Sequence, residues 1–345
     1  MSSVAKPKFE TRRVGQTKLE VTTLGLGGAT LGGNMVAVSE EQARATITRA
    51  RAAGITYFDT APFYGMGRSE RLFGDALRAG GREGVVLSTK VGRLLQPFTG
   101  KRPADFGWVD ALPFDQVYDY SYDGIMRSFE DSLQRLGLNR IDILYVHDIG
   151  PMTHGEEANK PLWQQLANSG YKALRELRDS GAISAIGLGV NEWEVLMEAF
   201  KLGDWDVFLL AGRYTLLEQT SLDPFLTTCL ERNTSIVVGG PFNGGALMGT
   251  GMWNYAKAPQ TVIDRVHRLE ALCQEFNVPL GAAALQFPLA HKAVCNVLPG
   301  PKAPEELDGI LQWWQADIPD AFWDALADRK LVAPGTPLPN GKVAG

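Results

Sequence analysis

The chain contains few of the residues from which metal centres and disulfide frameworks are built. It has three cysteines and four histidines among 345 residues. Cys229, Cys273 and Cys295 are scattered, with neither a zinc spacing nor the pattern of a disulfide framework. The histidines form no HExxH or similar ligand cluster. We therefore expect three buried apolar thiols and no metal ion.

Long apolar runs and an excess of basic residues are missing too. No stretch reaches the roughly 18 apolar residues that a membrane span requires, and Met1–Glu10 contains no apolar signal core. The formal net charge of −5 argues against nucleic acid or an anionic membrane as partner. These features favour a cytoplasmic protein that acts on a small molecule, and nothing in the sequence indicates its oligomeric state.

Short apolar segments alternate with helix-like segments along most of the chain. The apolar segments are continuous, as expected for strands covered on both faces. The predicted strands are Leu24–Gly27, Ile55–Phe58, Val85–Thr89, Ile141–Val146, Ile183–Gly189, Val207–Leu210, Ser235–Val238 and Ala293–Leu298. The helices predicted to follow them are Glu40–Ala53, Ser69–Ala79, Asp123–Leu136, Pro161–Ser180, Glu192–Leu202, Asp223–Arg232, Val262–Phe276 and Pro304–Gln315.

This order predicts an α/β fold, a (β/α)8 TIM barrel, because the strand–helix units have the length of right-handed crossovers. A doubly wound sheet would need a GxGxxG turn that opens directly into a helix. The segment Gly25–Gly28 lacks that spacing. The barrel is therefore the better interpretation.

Two segments lie outside the repeat. Arg12–Val21 predicts a β-hairpin whose apolar residues plug the amino end of the barrel, and Ile318–Leu331 predicts an extra carboxyl-terminal helix. The Pro/Gly-containing tail, residues 334–345, is predicted to be mobile. No linker or low-complexity segment interrupts the chain, so we expect one domain over residues 1–345.

Four polar residues lie at or just beyond the carboxyl ends of predicted strands. Asp59 and Lys90 follow the second and third strands, His147 follows the fourth, and Tyr64 lies in the loop after the second. In a parallel barrel these ends open on one face, so we expect the side chains to converge. Taken singly, three of them have a structural explanation: a turn cap for Asp59, a surface aromatic for Tyr64, and a hydrogen-bonded structural residue for His147. For Lys90, a lysine without a partner at a barrel mouth would be unusual, so a functional role is favoured.

Together the four groups suit proton transfer. An ammonium near a phenol stabilises the phenolate and lowers the phenol pKa from its usual value of about 10. A carboxylate keeps the ammonium charged, and an imidazole can hydrogen-bond to a substrate oxygen. Since no side chain carries hydride, the combination predicts proton exchange at a carbonyl or hydroxyl oxygen beside a nicotinamide or comparable cofactor.

The segments around these residues resemble the aldo-keto reductase family. Phe58–Gly65 resembles the family's aspartate–tyrosine segment, Ser88–Gly92 its lysine strand and Asp142–Asp148 its histidine segment. Arg12–Gly28 resembles the opening hairpin and first strand, so the likeness covers nearly the whole chain. The resemblance implies that Tyr64 is the general acid and base, that Lys90 and Asp59 tune it, and that His147 orients the substrate oxygen.

The resemblance also implies where an NAD(P)(H) cofactor binds. Asn191 matches the residue that contacts the carboxamide, and Tyr214 the aromatic that stacks on the nicotinamide ring. The other implied cofactor-binding residues are Thr30, Leu31, Asp59, Pro241, Phe242, Asn243, Gly244, Leu247, Gly300, Lys302 and Glu306. Ala303 replaces the usual Ser or Thr, and Lys302 alone would have to hold a 2′-phosphate beside Glu305 and Glu306. NAD is therefore favoured weakly over NADP.

Within the family, Gly107–Phe114 and Tyr118–Gly124 resemble the branch of bacterial L-fucose or D-threo-aldose 1-dehydrogenases and pyridoxal 4-dehydrogenase. This implies oxidation of an aldose at C1, or of pyridoxal, to a lactone. Phe63 and Trp108 are predicted to contact the substrate ring beside Tyr64 and His147, although Trp108 could equally anchor its loop. Two alternatives stay open: a broad NADPH-dependent aldehyde and ketone reductase, and a non-catalytic cofactor-sensing regulatory subunit.

Overall fold

The computed structural model describes residues 9–103, 106–254 and 256–345. The polar segment Met1–Glu10 lies outside these ranges except for Phe9 and Glu10. Eight parallel strands, paired in chain order, form the barrel that the sequence predicts. They are β1 (Gly25–Gly27), β2 (Tyr57–Asp59), β3 (Val86–Val91), β4 (Ile143–His147), β5 (Ala185–Val190), β6 (Val207–Ala211), β7 (Ser235–Gly239) and β8 (Val294–Leu298). A single parallel bridge, Leu24 with Val297, joins the two ends of the sheet.

Helices surround the barrel. They are α1 (Glu40–Ala53), α2 (Arg68–Gly80), α3 (Tyr122–Leu136), α4 (Pro151–His154), α5 (Glu156–Gln165), α6 (Tyr171–Asp179), α7 (Trp193–Ala199), α8 (Thr227–Arg232), α9 (Gln260–Glu275), α10 (Leu280–Gln286), α11 (Pro304–Trp314) and α12 (Asp320–Asp328). Helix α1 illustrates the local signals: Ser39 accepts a hydrogen bond from the Gln42 N–H at 3.1 Å, and Gly54 ends the helix at φ +100°. None of the described helices combines the length and apolar character that crossing a bilayer requires.

The amino end of the barrel is closed by the predicted hairpin. Its strands, Thr11–Arg13 and Glu20–Thr22, pair antiparallel, and Val14 and Val21 are buried in a cluster with residues of the barrel interior. Leu19 packs against the same cluster. The carboxyl ends of the strands therefore form the face on which a site can open.

All three cysteines are buried free thiols.

Three regions differ from the sequence predictions. The long loop Gly92–Tyr120 contains an antiparallel hairpin, Arg93–Pro97 paired with Phe114–Tyr118. The helix predicted to begin at Pro161 begins earlier, at Glu156. Pro161 cannot bond to the carbonyl of Glu157, but both residues are exposed, so water can satisfy that carbonyl. The short apolar helix α10 is not predicted.

The predicted mobility of residues 334–345 does not agree with their packing. The Gly335 N–H donates to the Ala344 carbonyl at 2.8 Å, and the Ala344 N–H donates to the Thr336 carbonyl at 2.9 Å. Leu338 and Ala344 are buried. The tail folds back on itself because burial of these two apolar side chains is favourable. The prediction of mobility rested on the Pro and Gly content alone.

Candidate active site

Asp59 and Lys90 form a buried ion pair at the carboxyl ends of β2 and β3. The Lys90 ammonium donates to Asp59 Oδ2 at 2.6 Å and to the Thr60 carbonyl at 2.9 Å. The Ser88 hydroxyl, directly across from Asp59 on the neighbouring strand, donates to Asp59 Oδ1 at 2.7 Å. Burial raises the pKa of the Asp59 carboxyl, while the Lys90 ammonium and the Ser88 hydroxyl lower it. The arrangement holds the ammonium in one position.

Tyr64 lies above this pair. The Lys90 Nζ atom is 4.5 Å from the centroid of the Tyr64 ring, a distance at which ammonium and ring attract each other. The Tyr64 ring is 5.8 Å from the His147 ring, at 84°, and stacks at 5.7 Å on Trp108. The four residues that the sequence places at strand ends are thus within one cluster.

Tyr64, Lys90 and His147 line a cavity of about 340 Å³. One wall is aromatic: Phe63 and Trp108 meet edge to face with centroids 5.1 Å apart. The lining also includes Lys90, His147 and Asp148, and the His147 ring lies 6.1 Å from the Phe63 ring, edge to face. Aromatic rings and several polar groups in one cavity suit a flat ring that bears oxygen substituents.

The imidazole of His147 is held in its neutral form. Burial, together with the positive charges of Arg93 and Lys90, keeps the pKa of His147 well below its ordinary value. Its Nε2 is 3.4 Å from Asp148 Oδ2, and among the described residues its buried Nδ1 has no hydrogen-bond partner. The Tyr120 hydroxyl donates to the His147 carbonyl at 2.8 Å. A neutral imidazole in this position can donate one hydrogen bond to a substrate oxygen.

The loop that carries Trp108 is tied to the segment after β1. The Val109 N–H donates to the Gly33 carbonyl at 2.8 Å, and the Met35 N–H donates to the Gly107 carbonyl at 2.7 Å. Gly33 has φ +96°, and a Cβ there would lie 2.2 Å from the Val109 carbonyl oxygen. Glycine is required at this close approach, and the contact fixes Trp108 over Tyr64.

A second cavity, of about 300 Å³, adjoins the first and shares Tyr64 and Asn191 with it. It forms a groove across the ends of β6, β7, β8 and β1. Eight of its lining residues are glycines, so backbone N–H groups can approach a bound phosphate closely. A Cβ at Gly240 would meet no atom nearer than 3.9 Å, which means that it would project into open space. The groove therefore fits an elongated ligand such as a dinucleotide.

Several predicted cofactor-binding residues line this groove. They are Thr30, Asp59, Asn191, Pro241, Phe242, Asn243, Gly244 and Gly300. The Asn243 side chain also joins the loops after β6 and β7, because its Nδ2 donates to the Gly212 carbonyl at 3.0 Å. Lys302 and Glu306 are exposed beyond Gly300 and form an ion pair of 3.1 Å with each other.

Five predicted cofactor-binding residues do not line the groove: the exposed pair Lys302 and Glu306, and three buried residues. Leu31, Tyr214 and Leu247 are buried in the hydrophobic core. The Tyr214 ring packs at 5.7 Å from Phe287 and 5.5 Å from His291. It is fully shielded and cannot stack on a ring bound in the groove, so that assignment is wrong.

The comparisons with known proteins agree with this geometry. The sequence matches the Aldo/keto reductase family over residues 23–329. The chain belongs to this family. It is 46% identical over 338 residues to pyridoxal 4-dehydrogenase from Microbacterium luteolum, covering 94% of this chain and 98% of that protein. It is 38% identical over 325 residues to D-threo-aldose 1-dehydrogenase from a Pseudomonas species, covering 91% and 95%.

A solved relative shares the fold. An aldo-keto reductase from Bacillus halodurans, determined in its holo form, has a TM-score of 0.72 and 26% identity to this chain. The match covers 94% of this chain and 97% of that one. This aldo-keto reductase is thus an NAD(P)-dependent oxidoreductase with a TIM barrel.

Among the residues described, no cluster of three or more His, Cys, Asp or Glu side chains is placed to hold a metal ion.

Sequence reasoning misses several residues of this aldo-keto reductase site. Gly212 and Asn254 line the groove, and Asp148 and Met152 line the substrate cavity. Asp148 directly follows His147, so its position just past a strand end was a usable signal. Met152 lies in the short helix α4 and Asn254 in a turn, and no local pattern predicts the course of either segment.

Proposed function

We propose that this aldo-keto reductase oxidises an aldose at C1, or the cyclic hemiacetal of pyridoxal, to a lactone. The observation that carries the proposal is one cavity lined both by the aromatic rings of Phe63 and Trp108 and by the polar side chains of Lys90, His147 and Asp148. A pyranose or a pyridine ring offers a flat face to the aromatic rings and oxygen atoms to the polar side chains. The names of the two relatives point to the same two substrate classes.

In this proposal Tyr64 takes the proton from the substrate hydroxyl during oxidation and returns it during reduction. Lys90 stabilises the phenolate by its charge, and Asp59 holds Lys90 in place through the 2.6 Å contact. The neutral His147 donates a hydrogen bond that orients the reacting oxygen. A nicotinamide cofactor, when bound, accepts or supplies the hydride. Asn191, Gly240, Gly300 and their neighbours in the groove would hold it.

We propose NAD as the preferred cofactor. The Lys302 ammonium is already paired with Glu306 at 3.1 Å, and the Lys302 N–H donates to the same carboxylate at 2.9 Å. Glu306 would also repel a 2′-phosphate brought near Lys302. A carboxylate in this position instead accepts hydrogen bonds from a free ribose hydroxyl.

The proposal places one domain, residues 1–345, in the cytoplasm, acting on a sugar or a pyridoxal-like aldehyde. Its first test is a substrate panel. NADH formation is measured with L-fucose, other aldoses and pyridoxal, and NADPH consumption with aromatic aldehydes and diketones. Faster turnover in the second set would favour the broad reductase. Cofactor binding without turnover in either set would favour the regulatory subunit.

The second test is the variant Tyr64→Phe. We expect it to lower kcat/KM by about 10²- to 10⁴-fold while leaving the dissociation constant for NADH nearly unchanged. Tyr122→Phe is the matched control, because the Tyr122 hydroxyl bonds to Glu176 at 2.6 Å at an exposed position. Full activity of Tyr64→Phe would contradict the assigned role.

A further inference from the structure

Asp148 is held at the mouth of the substrate cavity by an unusual backbone conformation. Its φ is +44°, in the left-handed region that non-glycine residues seldom adopt. The Asp148 N–H donates to the Gly189 carbonyl at 2.9 Å, which ties the residue to the end of β5. A strained, hydrogen-bonded backbone at a cavity lining fixes the direction of this carboxylate.

The two oxygens of the Asp148 carboxylate differ in their contacts with the described residues. Oδ2 pairs with the Arg93 guanidinium and is 3.4 Å from His147 Nε2. Within the described part of the chain, Oδ1 has one weak contact, from Asn191 Nδ2 at 3.5 Å, a distance at the limit for a hydrogen bond. Oδ1 therefore keeps acceptor capacity for a ligand.

Arg93 cannot turn away to release this pair. The guanidinium lies 4.2 Å from the Phe63 ring centroid and 5.3 Å from the Tyr118 ring centroid, and it donates to Gln116 at 2.9 Å. Arg93 is only 3% exposed. Its charge is therefore balanced chiefly by Asp148, and the pair presents a fixed, partly shielded carboxylate to the cavity.

We propose that Asp148 determines substrate specificity by accepting a hydrogen bond from a hydroxyl group near the reacting carbon and by repelling anionic substituents. The inference rests on the proposed function and names its substrate class: neutral polyhydroxy compounds rather than phosphorylated or carboxylated ones. A hydroxyl substituent replaces water at Oδ1, whereas an anion would meet like charge in a partly desolvated site. Removing the Asp148 charge leaves the Arg93 guanidinium unpaired, so the same cavity would then attract anions.

The test is Asp148→Asn, assayed by NADH consumption with D-glyceraldehyde and with D-glyceraldehyde 3-phosphate, a neutral and anionic pair that share the reacting aldehyde. We expect the kcat/KM ratio of neutral to anionic substrate to fall by about 10- to 100-fold, with activity on the phosphorylated compound rising in absolute terms. Asp206→Asn is the matched control. Asp206 also pairs with an arginine, Arg178, at 3.1 Å, and it accepts the Ile186 N–H at 3.0 Å, but it does not line the cavity.

A double variant keeps the test decisive if Asp148→Asn folds poorly. Arg93→Gln combined with Asp148→Asn removes both charges, and it should lose the preference for the neutral substrate without the gain toward the phosphorylated one. Turnover in the wild type with a ratio unchanged in both variants would overturn the assignment of Asp148 alone. A wild type that binds NADH, forms no NADH from aldoses or pyridoxal and reduces neither glyceraldehyde would overturn the proposed function and this assignment with it.

Discussion

Replacing Lys90 by methionine would leave a carboxylate buried without its counter-charge. Both side chains of the Lys90–Asp59 pair are 2% exposed, so water cannot take the place of the ammonium. Methionine fills much of the volume but donates no hydrogen bond to Asp59 or to the Thr60 carbonyl. Breaking a buried pair by removing one partner costs about 3–5 kcal/mol, and we expect this loss in the unfolding free energy at neutral pH.

The loss should depend on pH in a defined direction. In the wild type, burial raises the pKa of Asp59 and Lys90 opposes it. Without Lys90 the pKa of Asp59 in the folded protein rises further above its unfolded value of about 3.9. The folded state then binds more protons than the unfolded state above about pH 4, so stability falls as pH rises, by up to about 1.4 kcal/mol per unit. The difference between wild type and variant should be small near pH 4 and grow toward neutrality.

The free energy of unfolding of both proteins is measured by urea unfolding at about four pH values between about 4.5 and 8. The double variant Asp59→Asn with Lys90→Met removes both charges of this pair, and we expect it to recover at least about 2 kcal/mol relative to Lys90→Met alone. A penalty that stays constant across this range, or a double variant no more stable than the single one, would refute the reasoning.

Three other outcomes follow from the site. Gly33→Ala should raise the substrate KM several-fold at an unchanged NADH dissociation constant, because the added Cβ displaces the loop of Trp108. Because the pKa of His147 is lowered in the folded protein, the unfolded state binds more protons than the folded state below about pH 6.5. As the pH is lowered from about 7.5 to about 5.5, the stability of the wild type should therefore fall more than that of His147→Gln. Urea unfolding midpoints measure this difference. Glu306→Gln frees Lys302 and should raise the NADP-to-NAD ratio of kcat/KM by about tenfold.

The convergence of Asp59, Lys90 and His147 could be predicted because continuous apolar runs locate strands to within a residue or two. Once the strands are placed, a parallel barrel fixes which of their ends share a face. Tyr64 follows from the short distance along the chain to Asp59. For these residues, local sequence patterns locate the strands, and the barrel fold brings the strand ends together.

Other features depend on contacts that no local pattern contains. Tyr214 lies three residues beyond the end of β6, but after a turn at Gly212 with φ +69° its ring points into the core rather than the groove. The hairpin Arg93–Pro97 with Phe114–Tyr118 has mixed composition, and its place over the site depends on Arg93 meeting Asp148, 55 residues away. Sequence gives the position of such residues along the chain, but not the side to which they turn.

The junction of β1 and β8, where the barrel closes, lies under the cofactor groove. Between β1 and β8 the chain is held by the Leu24–Val297 bridge and by N–H bonds from Val297 to Thr23 (2.8 Å) and from Gly27 to Pro299 (2.9 Å). The groove crosses this junction, so a dinucleotide lying in it touches both edges. Deuterium uptake at the Gly27 and Val297 amides should consequently slow when NADH is added, because the bound coenzyme would stabilise the junction of β1 and β8 against local opening.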